Sequence, residues 1–184
     1  ILDKTVVIVA GDHGEDLGEH REYGHGIFCY DVSLRVPLII SSPRLFPPRV
    51  VSGRVSLIDV LPTLHGLLGI GGSSGGQGAS LEGVLASGAS PRERDLYFES
   101  LYAQDEMGWA PLTGILSGPS KYIQLPEPEL YDLARDPGET DNLNLKKNIL
   151  ARGLNRKLQA MMLGLAGKGG SERRALSEAD RRHL

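Results

Sequence analysis

The chain has 184 residues, 40% of them apolar, with 20 Lys and Arg against 23 Asp and Glu and a formal net charge of −3. That length suffices for one domain with a core, and the mild acidity leaves no electrostatic footprint for nucleic acid. A single cysteine, Cys29, excludes an internal disulfide, and no apolar stretch approaches the roughly 20 residues that cross a bilayer, so no membrane segment is expected.

The first element is an apolar run, Thr5 to Ala10, that reads as a strand buried on both faces. It breaks at Gly11 and delivers Asp12-His13-Gly14-Glu15, with His20 and Gly24-His25-Gly26 close behind. In open α/β sheets ligands bind beyond the carboxyl ends of the strands, which is where Asp12 and His13 fall. Neighbouring strand residues point to opposite faces, so these two side chains meet at one ion only where the backbone leaves extended geometry. Gly11 and Gly14 permit that departure.

A carboxylate oxygen with a neutral imidazole nitrogen suits a divalent ion of intermediate hardness, since calcium or magnesium normally takes oxygen from every ligand. Two ligands are too few, and further carboxylates are expected from elsewhere. The competing reading is a capping box, Asp12 as N-cap with Glu15 reaching back. Three of the five histidines, His13, His20 and His25, crowd one glycine-rich loop, which favours the metal. The spacing matches neither H-E-x-x-H nor a Cys/His zinc site. Cys29, between Phe28 and Tyr30, is predicted to be a buried, inert thiol.

Residues 36 to 42 form the second predicted core strand, with Pro37 tolerated at its start. Two continuous apolar strands belong in a parallel sheet covered by helices, and two cannot make one. The chain also starts at Ile1, without an initiator methionine or signal peptide, so a missing N-terminal part of the same protein is expected to supply further strands and the rest of the site. Arg35 is expected to pair with Asp31 or a loop carboxylate. Apolar spacing at Ile58, Leu61, Leu64, Leu67 and Leu68 predicts a helix capped by Asp59 and stopped at Gly69, with His65 on the solvent side.

Gly71 to Ser80 reads as a glycine/serine loop. Then come four short predicted strands, at 95–99, 112–116, 122–125 and 129–133, implying a small antiparallel sheet. Asp136-Pro137-Gly138-Glu139 is turn chemistry. Asp141 is expected to cap a packing helix whose stripe runs Leu145, Ile149, Leu150, Leu154, Leu158, Met161, Met162 and Leu165. The tail after Gly167 is glycine-rich and then charged, with Arg173-Arg174 and Arg181-Arg182 among acids, and reads as frayed or linking. The expected units are residues 1–90, 91–166 and a tail of 167–184.

This ordered series resembles the C-terminal part of a sulfatase of the alkaline phosphatase superfamily. The resemblance is carried by Asp12-His13-Gly14-Glu15, Leu17-Gly18-Glu19-His20, Gly24-His25-Gly26, Arg35-Val36-Pro37-Leu38-Ile39-Ile40 and Asp59-Val60-Leu61-Pro62-Thr63-Leu64. Glu129-Leu130-Tyr131-Asp132-Leu133 and Asp136-Pro137-Gly138-Glu139 complete it. It implies an α/β sandwich, a mixed and largely parallel sheet between helices, with a small C-terminal antiparallel sheet and a packing helix. It implies hydrolysis of small-molecule or glycan sulfate esters by a formylglycine made from Cys or Ser, helped by one divalent ion, calcium above manganese, magnesium or zinc.

By position Asp12 and His13 would be metal ligands. His25 would contact the substrate anion where many relatives have lysine, which requires a protonated ring or one donated N–H. His20 is a weaker candidate for substrate contact. The family's nucleophile motif, Cys or Ser followed by x-P-x-R, does not occur, so formylglycine is expected upstream and the isolated chain is expected to be inactive. A periplasmic or secreted setting is the family's implication. The alternatives are a phosphodiesterase, phosphonate monoester hydrolase or phosphoglycerol transferase on the same scaffold, or a noncatalytic packing or binding module.

Overall fold

A computed structural model describes residues 2–71 and 76–166. The charged tail and part of the glycine/serine loop lie outside the described residues. The fold is mixed α/β, as the sequence implies. Strand β1 (Val7–Ala10) pairs with β4 (Leu38–Ser41). Between them lie a two-residue hairpin, β2 (Asp16–Leu17) with β3 (Tyr23–Gly24), and the short helix α1 (Asp31–Leu34). Helices α2 (Val60–Leu68) and α3 (Glu82–Ser87) follow. Then come β5 (Leu96–Ser100), α4 (Tyr102–Met107), β6 (Leu112–Ser117), β7 (Ser120–Gln124), β8 (Glu129–Asp132) and α5 (Asn148–Ala166).

The first pair corrects the parallel reading: β1 and β4 run antiparallel, Val7 opposite Ser41 and Ala10 opposite Leu38. A continuous apolar run marks two apolar faces but not the direction of the neighbouring strand. Nor are both faces covered among the described residues, since Val9 and Ile39 are 54% and 58% exposed.

Strands β5 to β8 form an antiparallel meander in chain order. Because strand side chains alternate, the meander carries two cores. On one face Ile115, Tyr122 and Leu130 pack against Ala151, Leu154 and Leu158 of α5. On the other, Phe98, Leu112, Leu116, Ile123 and Tyr131 pack against Cys29, with Phe28, Tyr30 and Leu34 at the margin. The residues that follow the histidine loop are therefore one of the sheet's two covers. Cys29 is buried there, and burial pushes its thiol up to about 12. Gly114 admits this packing, because a Cβ there would sit 2.2 Å from Phe98 Cζ.

Three local expectations are revised. Ser56, not Asp59, caps the helical segment: Ser56 and Asp59 form a reciprocal capping box around a 3₁₀ turn that leads into α2. Asp59 is buried and also takes the Arg94 guanidinium and the Ala79 amide, pinning the long connection onto α2. His65 is half-buried, with Nδ1 enclosed and without a hydrogen-bond partner among the described residues. Helix α5 starts at Asn148, after Asp141, so Leu145 and Ile149 are exposed and only the later part of the stripe packs. No described helix is long and apolar enough to cross a membrane.

The 136–139 turn shows how local amides are absorbed. Asp136 accepts from the Asp141 amide at 2.8 Å, the Thr140 amide at 2.8 Å and the Thr140 hydroxyl at 3.0 Å. The Asp141 amide first, then Thr140, hold its carboxyl below the usual aspartate range. A lowered folded value gives stability that is full above the ordinary aspartate value and lost as pH falls through the lowered one. The stabilities of the unmodified protein and Asp136→Ala, read from melting curves, are therefore expected to differ near neutrality by no more than about 1 kcal/mol and to converge in acid.

Candidate metal and anion site

Strand β1 ends at Ala10, and the Gly11 amide donates to the Pro37 carbonyl at 3.3 Å, fixing the exit of the chain toward Asp12. Helix α1 comes back against this exit: the Gly14 amide donates to Ser33 O at 2.8 Å, and a Cβ on Gly14 would lie 2.0 Å from Val32 O. Gly14 is thus required for space. Neither Gly11 nor Gly14 adopts the left-handed backbone, so the freedom expected of them is not what the fold uses.

No helix starts at Asp12, which removes the capping-box reading. The Asp12 side chain is 90% exposed, and its Oδ2 lies 3.8 Å from His13 Nε2. The backbone amides of Asp12 and His13 hold its carboxyl below the usual range. His13 Nδ1 lies 2.8 Å from the Gly14 carbonyl, which can only accept, so Nδ1 carries the proton in that bond. In the neutral ring the lone pair then sits on Nε2, 3.8 Å from a carboxylate oxygen. Two acceptors at that separation could hold a cation, and a backbone carbonyl orients the ring as it does for metal-bound histidines.

The hairpin brings in the rest. Asp16 pairs with Gly24, so the next step of the ladder sets Glu15 opposite His25, and His25 Nδ1 lies 3.2 Å from Glu15 Oε2. The His25 ring stacks on His13, centroids 3.6 Å apart at 26°. Donor atoms of His13, Glu15 and His25 all lie within 4.8 Å of one another. Stacked rings aim their in-plane lone pairs side by side, so this trio is less suited to one ion than the Asp12–His13 pair.

His20 makes a different stack, on Tyr30 with centroids 3.7 Å apart. The Tyr30 phenol donates to Glu129 Oε2 at 3.2 Å, and burial, then Glu129, pushes that phenol up from its ordinary value. Arg35 is exposed and has no carboxylate at ion-pair distance among the described residues, so the expected pair with Asp31 is not formed. With Asp12, Leu38, Arg54, Tyr97 and Leu116 it lines a cleft of about 660 Å³ between β4 and the four-stranded sheet.

Sequence reasoning missed two carboxylates. Glu15 was readable only through the hairpin register. Glu22 is buried and accepts from the Ile27 and Phe28 amides at 3.1 and 3.3 Å, folding the chain just after His25. Flanked by exposed Arg21 and Tyr23, it has no sequence signal.

The α/β fold thus sets a carboxylate and two histidines just beyond a strand's carboxyl end, and comparison gives the chain its family. A sequence model of the sulfatase family matches residues 1–70. Mouse arylsulfatase K is 28% identical over 171 residues, covering 88% of this chain and 31% of that protein. The N-acetylglucosamine-6-O-sulfatase of Bacteroides thetaiotaomicron is 31% identical over 150 residues, covering 77% and 27%. The solved phosphonate monoester hydrolase of Agrobacterium radiobacter superposes with a TM-score of 0.69 at 27% identity, covering 96% of this chain and 38% of that one. The chain belongs to the sulfatase family of the alkaline phosphatase superfamily. It spans about a third of the length of the curated relatives it matches.

Proposed function

We propose that the protein containing this chain is a metal-dependent sulfuric ester hydrolase, acting on a small-molecule or glycan sulfate ester, to which these residues contribute metal and anion contacts. The observation that supports this reading is the placement of Asp12 Oδ2 and His13 Nε2 3.8 Å apart, with the ring bonded to Gly14 O. A divalent ion bound there, calcium above manganese, magnesium or zinc, would supply positive charge to polarise a nucleophile and a sulfate oxygen.

This chain's own residues do the rest of what it offers. Asp12 supplies carboxylate oxygen at an exposed position. Gly14 O keeps His13 in the tautomer that presents Nε2. Glu15 holds His25 by Nδ1, which leaves His25 Nε2 to meet an anionic oxygen and, in the protonated ring, to donate to it. His20, stacked on Tyr30, is a second candidate for substrate contact. The formylglycine nucleophile and further ligands come from outside these 184 residues, since the sequence contains no Cys or Ser followed by x-P-x-R.

Elemental analysis of the full-length protein tests the reading. It should carry one divalent ion per chain, and Asp12→Ala should lose it; no ion in the unmodified protein would favour a noncatalytic module. The phosphonate monoester hydrolase match supports a second reading, phosphate or phosphonate ester cleavage on the same scaffold. Parallel assays with aryl sulfate, aryl phosphate and aryl phosphonate decide between the elements.

A further inference from the structure

Lys121 lies on β7 with no exposed surface, its ammonium 2.6 Å from Glu139 Oε1, and the Glu139 side chain is 1% exposed. Taking both charges out of water costs several kcal/mol per ion, and an apolar pair of similar volume often holds a core as well or better. The sheet's stability alone therefore gives no reason for an ion pair. Glu139 also has φ 52°, a left-handed backbone that residues bearing a Cβ seldom adopt, and such outliers cluster where a side chain must be aimed.

What that carboxylate reaches is the histidine loop. Its second oxygen, Oε2, accepts the amide of Asp31, the first residue of α1 and 108 positions earlier in the chain. No apolar side chain could accept that proton. Tyr30, one residue before, donates to Glu129 on β8 and stacks on His20, and the Lys121 ammonium lies 5.9 Å from the Tyr30 ring centre. Farther back, the Ser100 hydroxyl at the end of β5 donates to the Gly26 carbonyl, next to His25. The four-stranded sheet and the turn that follows it thus hold residues 26 to 31 at three points, the most enclosed of them at Glu139.

We propose that Glu139, held by Lys121, is a positioning residue for the anion site: by capturing the Asp31 amide it fixes Tyr30 and, through the ring stack, His20. Its relevance to turnover rests on the function proposed above; its effect on His20 does not.

Two double variants of the full-length protein separate the roles. Lys121→Met with Glu139→Gln, and Lys121→Met with Glu139→Leu, both remove both charges, so neither strands a buried ion. Only the glutamine keeps an acceptor for the Asp31 amide. With histidine labelled at Cε1 and the His20 signal assigned by its loss in His20→Gln, the glutamine variant should keep the ring-current shift that Tyr30 imposes. The leucine variant should lose that shift at a melting temperature matching the glutamine variant. On an aryl sulfate, kcat should fall about 10-fold in the leucine variant with KM little changed, as expected for a displaced contact group.

An equal His20 shift in the two variants would overturn the proposal. If neither folds, Asp31→Pro and Asp31→Ala both remove the carboxylate, and only the proline removes the donated N–H, at a first helical position where proline is accommodated. Loss of the shift in the proline variant alone supports the proposal, and its retention overturns it. An unmodified protein without sulfatase turnover but with these shifts would sink the proposed function and leave the positioning role standing.

Discussion

His25→Ala in the full-length protein is expected to lower turnover of an aryl sulfate by about 10²-fold or more, the scale of losing a positioned proton donor. The expectation comes from what each ring nitrogen is doing. Nδ1 is engaged by Glu15 at 3.2 Å, and one ring face is covered by His13 at 3.6 Å, so the ring is held on two sides with Nε2 left to a ligand. A group held this way loses little freedom when an ester anion arrives and serves the transition state more than the ground state. The loss should therefore fall mainly on kcat. His25→Lys should recover part of it, because a lysine also supplies a cation. Bound divalent ion, measured by elemental analysis, should survive both substitutions, unlike Asp12→Ala. A rate unchanged in His25→Ala would remove His25 from the chemistry and leave its stack on His13 as packing.

Much of this site could be read from local sequence, because its parts are local. Asp12, His13 and His25 stand out where a β-type run meets a glycine-rich loop, and the four short strands of the meander carry apolar alternation and turn residues that mark them one by one. The direction of β4 against β1 could not be read, because a strand's apolar faces are the same whichever way its neighbour runs. The start of α5 is not legible either, since Leu145 and Ile149 keep the helical spacing and yet stay exposed.

The long-range polar contacts were invisible for a different reason. Glu139 reads as turn chemistry and Lys121 as an ordinary strand residue. Nothing in the spacing of the two, or of Glu139 and Asp31, announces that they meet. Glu15 lies between: its partner follows from the hairpin register, which needs the Gly18 and Arg21 backbones, φ 113° and 65°, to close the β2–β3 turn. Pairwise chemistry across the fold is written in three dimensions, and only its local half is written in order along the chain.

Lys121→Met alone is expected to destabilise the protein by about 3–5 kcal/mol, the cost of breaking a buried pair from one side. The methionine fills the space of the lysine stem, so packing against Phe98 and Tyr30 survives, and what is lost is the partner of a carboxylate whose side chain is 1% exposed. Burial draws the Lys121 ammonium below its ordinary value and Glu139 opposes that shift, so in the intact pair each charge is tolerated because of the other. Restoring the balance should restore much of the stability: Lys121→Met with Glu139→Gln should recover most of the loss, since the amide needs no counterion and still reaches the Asp31 N–H. Urea unfolding gives the comparison, with the midpoint shifting and the slope unchanged as the mark of a native-state effect. A single variant within about 1 kcal/mol of the unmodified protein would mean that Glu139 does not depend on the lysine, whereas a double variant as weak as the single would place the stabilisation in the ammonium itself.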